Sequence, residues 1–256
     1  MRIIISPAKR MRTDADGLSP AGVPALLNRT RHLLDALRAM DLPALQHLLG
    51  CNGDIARLNY DRFQTMNLDC ADTPALLAYD GIQYQYMAPQ VFEQDYLDYV
   101  QQRLRILSGF YGVLRPLDGV VPYRLEMQAR LAVDGFCNLY QFWGDSLAKL
   151  VTAGDGTVLN LASEEYAKAV RRHLPANVRW IDCVFGEMDG EKIREKGVYV
   201  KMARGEAVRF LAENAIDSPD DLRAFDRLGF RWDKARSEKN RLVFLMDKRK
   251  RDADFD

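Results

Sequence analysis

Stretches with helical apolar spacing alternate along this chain with short β-branched runs that stop at proline, glycine or acidic turns, and this alternation narrows the choice of fold more than any other feature. Residues 2–6 carry Ile3, Ile4 and Ile5 and end at Pro7, the pattern of a short buried strand. From 24 to about 49, Leu26, Leu27, Leu33, Leu34, Leu37 and Met40 fit an amphipathic helix, broken near Pro43 and resumed, with more helix to about Phe63. Residues 76–79 read as a strand ended by the turn dipeptide Asp80-Gly81. Residues 92–107 read as a helix that stops where Gly109 makes a left-handed cap cheap. In the second half, 157–163 is strand then turn, and Ser163 is placed to cap a helix with Glu164 and Glu165 in its first turn. That helix ends around His173; strands follow at 179–185 and 197–202, then a helix at about 206–214 and a strand at 242–246. Such an order predicts a mixed α/β fold with a central β-sheet surrounded by helices.

No linker, repeat or low-complexity tract divides the 256 residues, so one compact domain is expected over 1–247, with a charged tail at 248–256. The apolar run at the start is three residues long, and nothing later approaches the roughly 18 residues of a membrane span, so a cytoplasmic protein is expected; the sequence leaves the oligomeric state open, with a monomer favoured. Cys51, Cys70, Cys137 and Cys183 have no CxxC spacing, which suits reduced thiols and argues against a zinc site. Acidic and basic side chains balance at 36 each, so any binding of a polyanion must come from local segregation of charge. Residues 101–130 show it, with Arg103, Arg105, Arg115, Arg124 and Arg130 against Asp118 and Glu126. The tail shows it too, at Lys248-Arg-Lys-Arg251.

The segment 107–127 holds the most pointed motif. A helix to 107, a tight turn over Ser108, Gly109, Phe110, Tyr111 and Gly112, and a second helical turn from Val113 to Arg115 have the layout of a helix-hairpin-helix. Glycines in such a hairpin let the backbone approach a phosphate, and amides at the second helix start point at it. Those contacts grip the backbone without reading bases, and Arg103, Arg105 and Arg115 would add the charge. A helix cap followed by solvated arginines has the same spacing. Over Pro122-Tyr-Arg-Leu-Glu-Met127, strand alternation puts Tyr123, Leu125 and Met127 on one face and Arg124 with Glu126 on the other. In a cleft, Arg124 would hold a phosphate or carboxylate with Glu126 orienting it; on a surface the pair is worth about 0–1 kcal/mol. Lys201, Arg204 and Arg209, at an expected strand end entering a helix, form either an anion site or a solvated basic turn. Asn160 and Ser163 most simply stabilise a turn and a cap. His32, His47 and His173 make no metal motif, and GxGxxG, GxxxxGK[ST] and GxSxG are absent, so no cofactor and no metal are expected.

Read together, Ser6-Pro-Ala-Lys9, Leu107-Ser-Gly-Phe-Tyr-Gly-Val-Leu-Arg-Pro-Leu-Asp118, Pro122-Tyr-Arg-Leu-Glu-Met127, Leu139-Tyr-Gln-Phe-Trp143, Asn160-Leu-Ala-Ser163 with Glu165-Tyr166, and Ala203-Arg-Gly205 with Arg209 resemble the YaaA family of bacterial peroxide-stress proteins, in order from residue 2 to about 245. The resemblance implies a cytoplasmic DNA-binding protein that helps limit iron-driven oxidative DNA damage, with a helix-hairpin-helix and a positively charged cleft. Carried onto this chain, the hairpin falls on residues 108–112, flanked by Arg103, Arg105 and Arg115, and the cleft draws on Lys9, Arg124, Lys201, Arg204 and Arg209. Gln128 stands where the family usually has glycine, and Arg10 where it usually has threonine.

Two functions remain open at this point. One is a DNA-backbone binder using Ser108, Gly109, Tyr111, Gly112 and the listed cations, with a preference for bent or damaged duplex. The other is an enzyme acting on a nucleotide or other small anion, with Lys9, Arg124, Glu126, Lys201 and Arg204 in one pocket and Glu126 as acid or base. Direct iron sequestration has no visible ligand cluster. Geometry separates the two: an open groove favours duplex, a small deep pocket favours a small ligand.

Overall fold

The computed structural model describes residues 1–13 and 17–246, so the basic run at 248–251 lies outside the described residues. The strands are β1 (Arg2–Ile5), β2 (Arg10–Met11), β3 (Thr73–Pro74), β4 (Tyr79–Asp80), β5 (Leu104–Ser108), β6 (Gly112–Leu114), β7 (Gly119–Val120), β8 (Thr157–Leu161), β9 (Arg179–Asp189), β10 (Lys192–Arg194), β11 (Phe230–Trp232) and β12 (Arg241–Met246). The helices are α1 (Leu27–Arg38), α2 (Leu42–Leu49), α3 (Gly53–Thr65), α4 (Ala75–Ala78), α5 (Ile82–Met87), α6 (Gln94–Arg103), α7 (Leu139–Trp143), α8 (Ser146–Thr152), α9 (Glu164–Arg171) and α10 (Gly197–Glu213). The α/β class with a central sheet is as the alternation predicts.

The main sheet has the order β11-β12-β9-β8-β1-β5-β6, with β10 paired to β9. β1 runs parallel to both neighbours, β5 and β8, while β6 is antiparallel to β5. Ile3, Ile4 and Ile5 are each fully buried, because a central parallel strand is covered on both faces and cannot alternate apolar with polar. From β1 the chain passes to β5 on one side and later returns to β8 on the other. The strand order therefore reverses at β1, and in open α/β sheets ligands bind in the crevice outside the carboxyl ends of the strands at such a point.

Five expectations fail for tertiary reasons. The helix expected over 92–107 stops at Arg103, and Leu104–Ser108 becomes a fully buried strand because it fills the place beside β1. Gly112, with φ 76°, takes the left-handed conformation expected of Gly109. Val113 lies in β6, paired antiparallel with Leu107, so a β-hairpin stands where the helix-hairpin-helix was expected. Residues 197–202, read as a strand from Val198, Tyr199 and Val200, are the start of the 17-residue α10. Of residues 76–79, expected to be strand, 76–78 belong to the single helical turn of α4 and Tyr79 lies in β4.

Residues 122–127 join no ladder, yet the alternation holds: Tyr123, Leu125 and Met127 are buried while Arg124 and Glu126 are half-buried. Two glycines bring elements to the site. A Cβ on Gly205 of α10 would lie 2.1 Å from the Gln83 carbonyl oxygen and 2.9 Å from the Met87 nitrogen of α5, so these helices meet backbone to backbone. A Cβ on Gly109 would lie 2.4 Å from the Leu125 carbonyl oxygen, so the hairpin presses directly on the Arg124–Glu126 segment.

Candidate anion-binding pocket

Outside the carboxyl ends of β1 and β8 lies a cavity of about 530 Å³. The loop after β1 contributes Ser6 to Arg10, α5 and the turn before it contribute residues 80–85, the irregular segment contributes 123–126, the cap and first turn of α9 contribute Ser163, Glu165 and Tyr166, and α10 contributes Lys201 and Arg204. Ser6 ties the two strand ends together. Its hydroxyl donates to Ser163 Oγ at 3.1 Å and accepts the Ser163 N–H at 2.8 Å. Ser163 occupies the cap position of α9, but its hydroxyl makes no capping bond. Tyr84 donates to the Ser6 carbonyl at 3.0 Å, fixing the same loop against α5.

Of the residues singled out in the sequence, the cavity gathers Lys9, Arg124, Glu126, Lys201 and Arg204. Lys9 Nζ sits 3.0 Å from Glu126 Oε2, and Arg124 donates to Glu126 Oε1 at 3.1 Å, so the glutamate is held between two cations. Lys201 and Arg204 lie one turn apart on α10, which puts them on one face. Arg204 is the unusual one. Its Nε is buried without a hydrogen-bond partner, and burial pulls the guanidinium below its ordinary pKa, against the more distant pull of Glu195, Cys183 and Asp182.

The remaining candidates lie elsewhere. Arg209 is spent within α10 on Glu213, at 2.7 Å. Arg103 pairs with Asp217 and covers the Tyr99 ring at 5.3 Å, and Arg105 is buried with Nη1 on the Leu104 carbonyl at 2.6 Å. Arg115 is exposed next to the hairpin. Ser108, Tyr111 and Gly112 are buried, and the amides of Phe110 and Tyr111 donate to Ser108 Oγ at 3.1 and 2.8 Å. Ser108 thus takes up two of the hairpin's amides inside the core, and residues 108–112 are all buried away from an incoming phosphate. Asn160 holds the Ala162 amide and Asp182, the turn-stabilising role its type suggests.

Sequence reasoning missed several contributors. Gln83 is buried with its Nε2 unpartnered, and only the α5–α10 contact brings it to the cavity. Asp80 holds Arg10 at 2.9 Å. Glu165, half-buried in the first turn of α9, accepts the Gln128 N–H at 3.2 Å; burial first, and then Glu126, push its carboxyl above the ordinary range, against the amides of Gln128 and Met127 and the charge of Lys9. Tyr123 donates no charge chemistry, since burial pushes its phenol up to about 12; its OH shares a hydrogen bond with Tyr79 at 2.8 Å and with Ser108 at 2.5 Å. Chemically, the pocket offers cations, the unpartnered carboxamide nitrogen of Gln83, an ion-paired carboxylate, and one carboxyl with a raised proton affinity. Among the described residues no group of three or more His, Cys, Asp or Glu side chains is arranged to hold a metal. No helix among them is long and apolar enough to cross a membrane.

A second cavity of about 480 Å³ adjoins the first, sharing Lys9 and Glu126 and adding Arg130, His47 and the apolar face of α2. The Lys9–Glu126 pair is thus the partition between the two.

Comparison with known proteins gives the arrangement its context. The family description "Peroxide stress protein YaaA" matches residues 1–236. A UPF0246 protein of Desulfitobacterium hafniense is 54% identical over 245 residues, covering 96% of this chain and 98% of that one. UPF0246 proteins of Lachnoclostridium phytofermentans and Lactiplantibacillus plantarum are each 48% identical over 245 residues, covering 96% of this chain and 96% and 99% of theirs. With nearly the whole length matched by relatives far above 30% identity, the chain belongs to the peroxide stress protein YaaA family.

Proposed function

We propose that, within a peroxide stress role, this protein binds a phosphate-bearing group of nucleoside size, free or at the end of a nucleic-acid strand, in the pocket at the ends of β1 and β8. One observation carries the reading. Gln83 Nε2, Arg124 Nε and Arg204 Nε are all buried without an acceptor, and all three belong to residues lining this cavity. A buried donor left unpaired costs about 1–3 kcal/mol, and more when charged, which an oxygen-rich anion would recover. The volume of about 530 Å³ is in the ordinary range for small-ligand sites and too small for a duplex.

The adjoining cavity supports a second reading. Because it continues past Lys9 and Glu126 to Arg130, a DNA backbone would track along it while one terminal unit enters the pocket. Limiting iron-driven damage to DNA belongs to this second reading, and it would act through binding to the nucleic acid.

Titration of the purified protein with adenosine 5′-monophosphate, a 5′-phosphorylated single strand, duplex and bulged duplex across a salt series tests both. The expected result is binding of the nucleotide and its competition with the single strand. Failure of every anion to bind would overturn the proposal, and tight, steeply salt-dependent duplex binding that the nucleotide does not compete would favour the groove. A variant with Arg103, Arg105 and Arg115 changed to alanine is expected to bind within about twofold of the parent while losing roughly 1–3 kcal/mol of stability from the broken Arg103 and Arg105 contacts. Urea denaturation beside the titrations checks both halves of that statement.

A further inference from the structure

Three features of the pocket bear on how it accepts charge. Glu126 is neutralised on both oxygens, by Lys9 at 3.0 Å and Arg124 at 3.1 Å. Glu165 lines the same cavity, half-buried, and among the described residues it has no ion-pair partner; the Gln128 amide at 3.2 Å is its hydrogen-bond donor. The donors left over on lining residues, Gln83 Nε2, Arg124 Nε and Arg204 Nε, favour an incoming anion, which Glu165 as a carboxylate would repel.

We infer that Glu165 takes up a proton from solvent when an anion enters the pocket, and donates it in a hydrogen bond to the ligand. The inference rests on the anion-binding reading and adds a specificity-determining residue to it. The carboxylate gains one proton, no covalent bond to the ligand forms, and the occupied site gains a donor in place of a like charge.

The surroundings of Glu165 support this direction. Burial is the largest influence on its carboxyl and raises its proton affinity, and Glu126 raises it further. Lys9 and the amides of Gln128 and Met127 oppose. Its place in the first turn of α9 also favours the ionised form, yet the net displacement is upward. Tyr166, its chain neighbour, and Tyr140, whose OH donates to the Glu165 carbonyl at 3.0 Å, have phenols raised by burial and stay neutral. An anion adds negative charge to this balance and moves Glu165 further up. Its proton affinity is then higher bound than free, so affinity for the anion is full below the free-state value and falls as pH rises through the bound-state value, by up to tenfold per pH unit.

Calorimetric titration with adenosine 5′-monophosphate and with inorganic phosphate, in buffers of different ionisation enthalpy across a pH series, counts the protons directly. The parent protein is expected to take up more protons per bound ligand than Glu165→Gln, whose amide stays neutral. The ratio of the parent's affinity to the variant's should fall as pH rises, the ligand's own second ionisation, with a pKa of about 6, being common to both proteins. Equal proton uptake in the two proteins, with both binding, overturns the inference and leaves the anion site standing. No binding of either probe by the parent overturns the site itself. Thermal unfolding of Glu165→Gln, expected within about 1 kcal/mol of the parent, separates a local change from a loss of fold.

Discussion

Gly109→Ala is expected to lower stability by about 3 kcal/mol, near the upper end of overpacking substitutions, and to lower the melting temperature by roughly 6–12 °C for a chain of this size. The added carbon would meet the Leu125 carbonyl oxygen at 2.4 Å, the Glu126 carbonyl carbon at 3.0 Å and the Met127 nitrogen at 3.1 Å. All are main-chain atoms, so no side chain can swing aside and the segment 124–127 must move bodily. Arg124 and Glu126 move with it, which predicts weaker anion binding as well. A phosphate-gripping hairpin predicts otherwise, since its glycine would face solvent and its replacement would cost binding alone. Thermal unfolding monitored by circular dichroism decides. A fully stable Gly109→Ala protein that had lost DNA binding would restore the hairpin reading.

Arg204→Met should do the reverse, with stability rising and function falling. The methionine keeps an unbranched apolar stem within α10 and removes a buried charged donor that lacks an acceptor, a change expected to stabilise by about 1–2 kcal/mol. Affinity for adenosine 5′-monophosphate should drop roughly 10- to 100-fold, the scale of one charge-assisted hydrogen bond. Urea unfolding and calorimetric titration on the same samples read both effects. Destabilisation by more than about 2 kcal/mol would show that Arg204 serves the fold, and the anion proposal would lose its main support.

The contrast between these two residues also shows what was legible in the sequence. Charge, residue type and local spacing brought out Lys9, Arg124, Glu126, Lys201 and Arg204, and the cavity gathers all five. The alternation in 122–127 was readable without a ladder, because burial on one side of an extended segment needs no strand partner. Arg103, Arg105 and the hairpin looked equally functional for the same reasons of type and spacing. Their fate depended on β5 filling the place beside β1, a pairing between residues about a hundred positions apart that no local window contains. Gln83 gave no signal, since a lone glutamine in Ile82–Met87 becomes an orphaned donor only once Gly205 lets α10 close over it. Residues 197–202 misled because Val198, Tyr199 and Val200 favour strands, while packing on α5 favoured the helix.

The central place of β1 has a consequence for how the protein is made. Its first partner, β5, begins at Leu104 and its second, β8, at Thr157, so the strand leaves the ribosome long before either neighbour exists. At elongation rates of about 5–20 residues per second, three consecutive isoleucines wait roughly 8–30 s for both flanks to be covered. For that interval the nascent chain carries an unpaired strand with three apolar residues in succession. Newly made molecules should therefore depend on trigger-factor-like or Hsp70-like holding far more than finished ones, and a cell that raises synthesis of this protein under stress takes on that burden when its chaperones are already in demand.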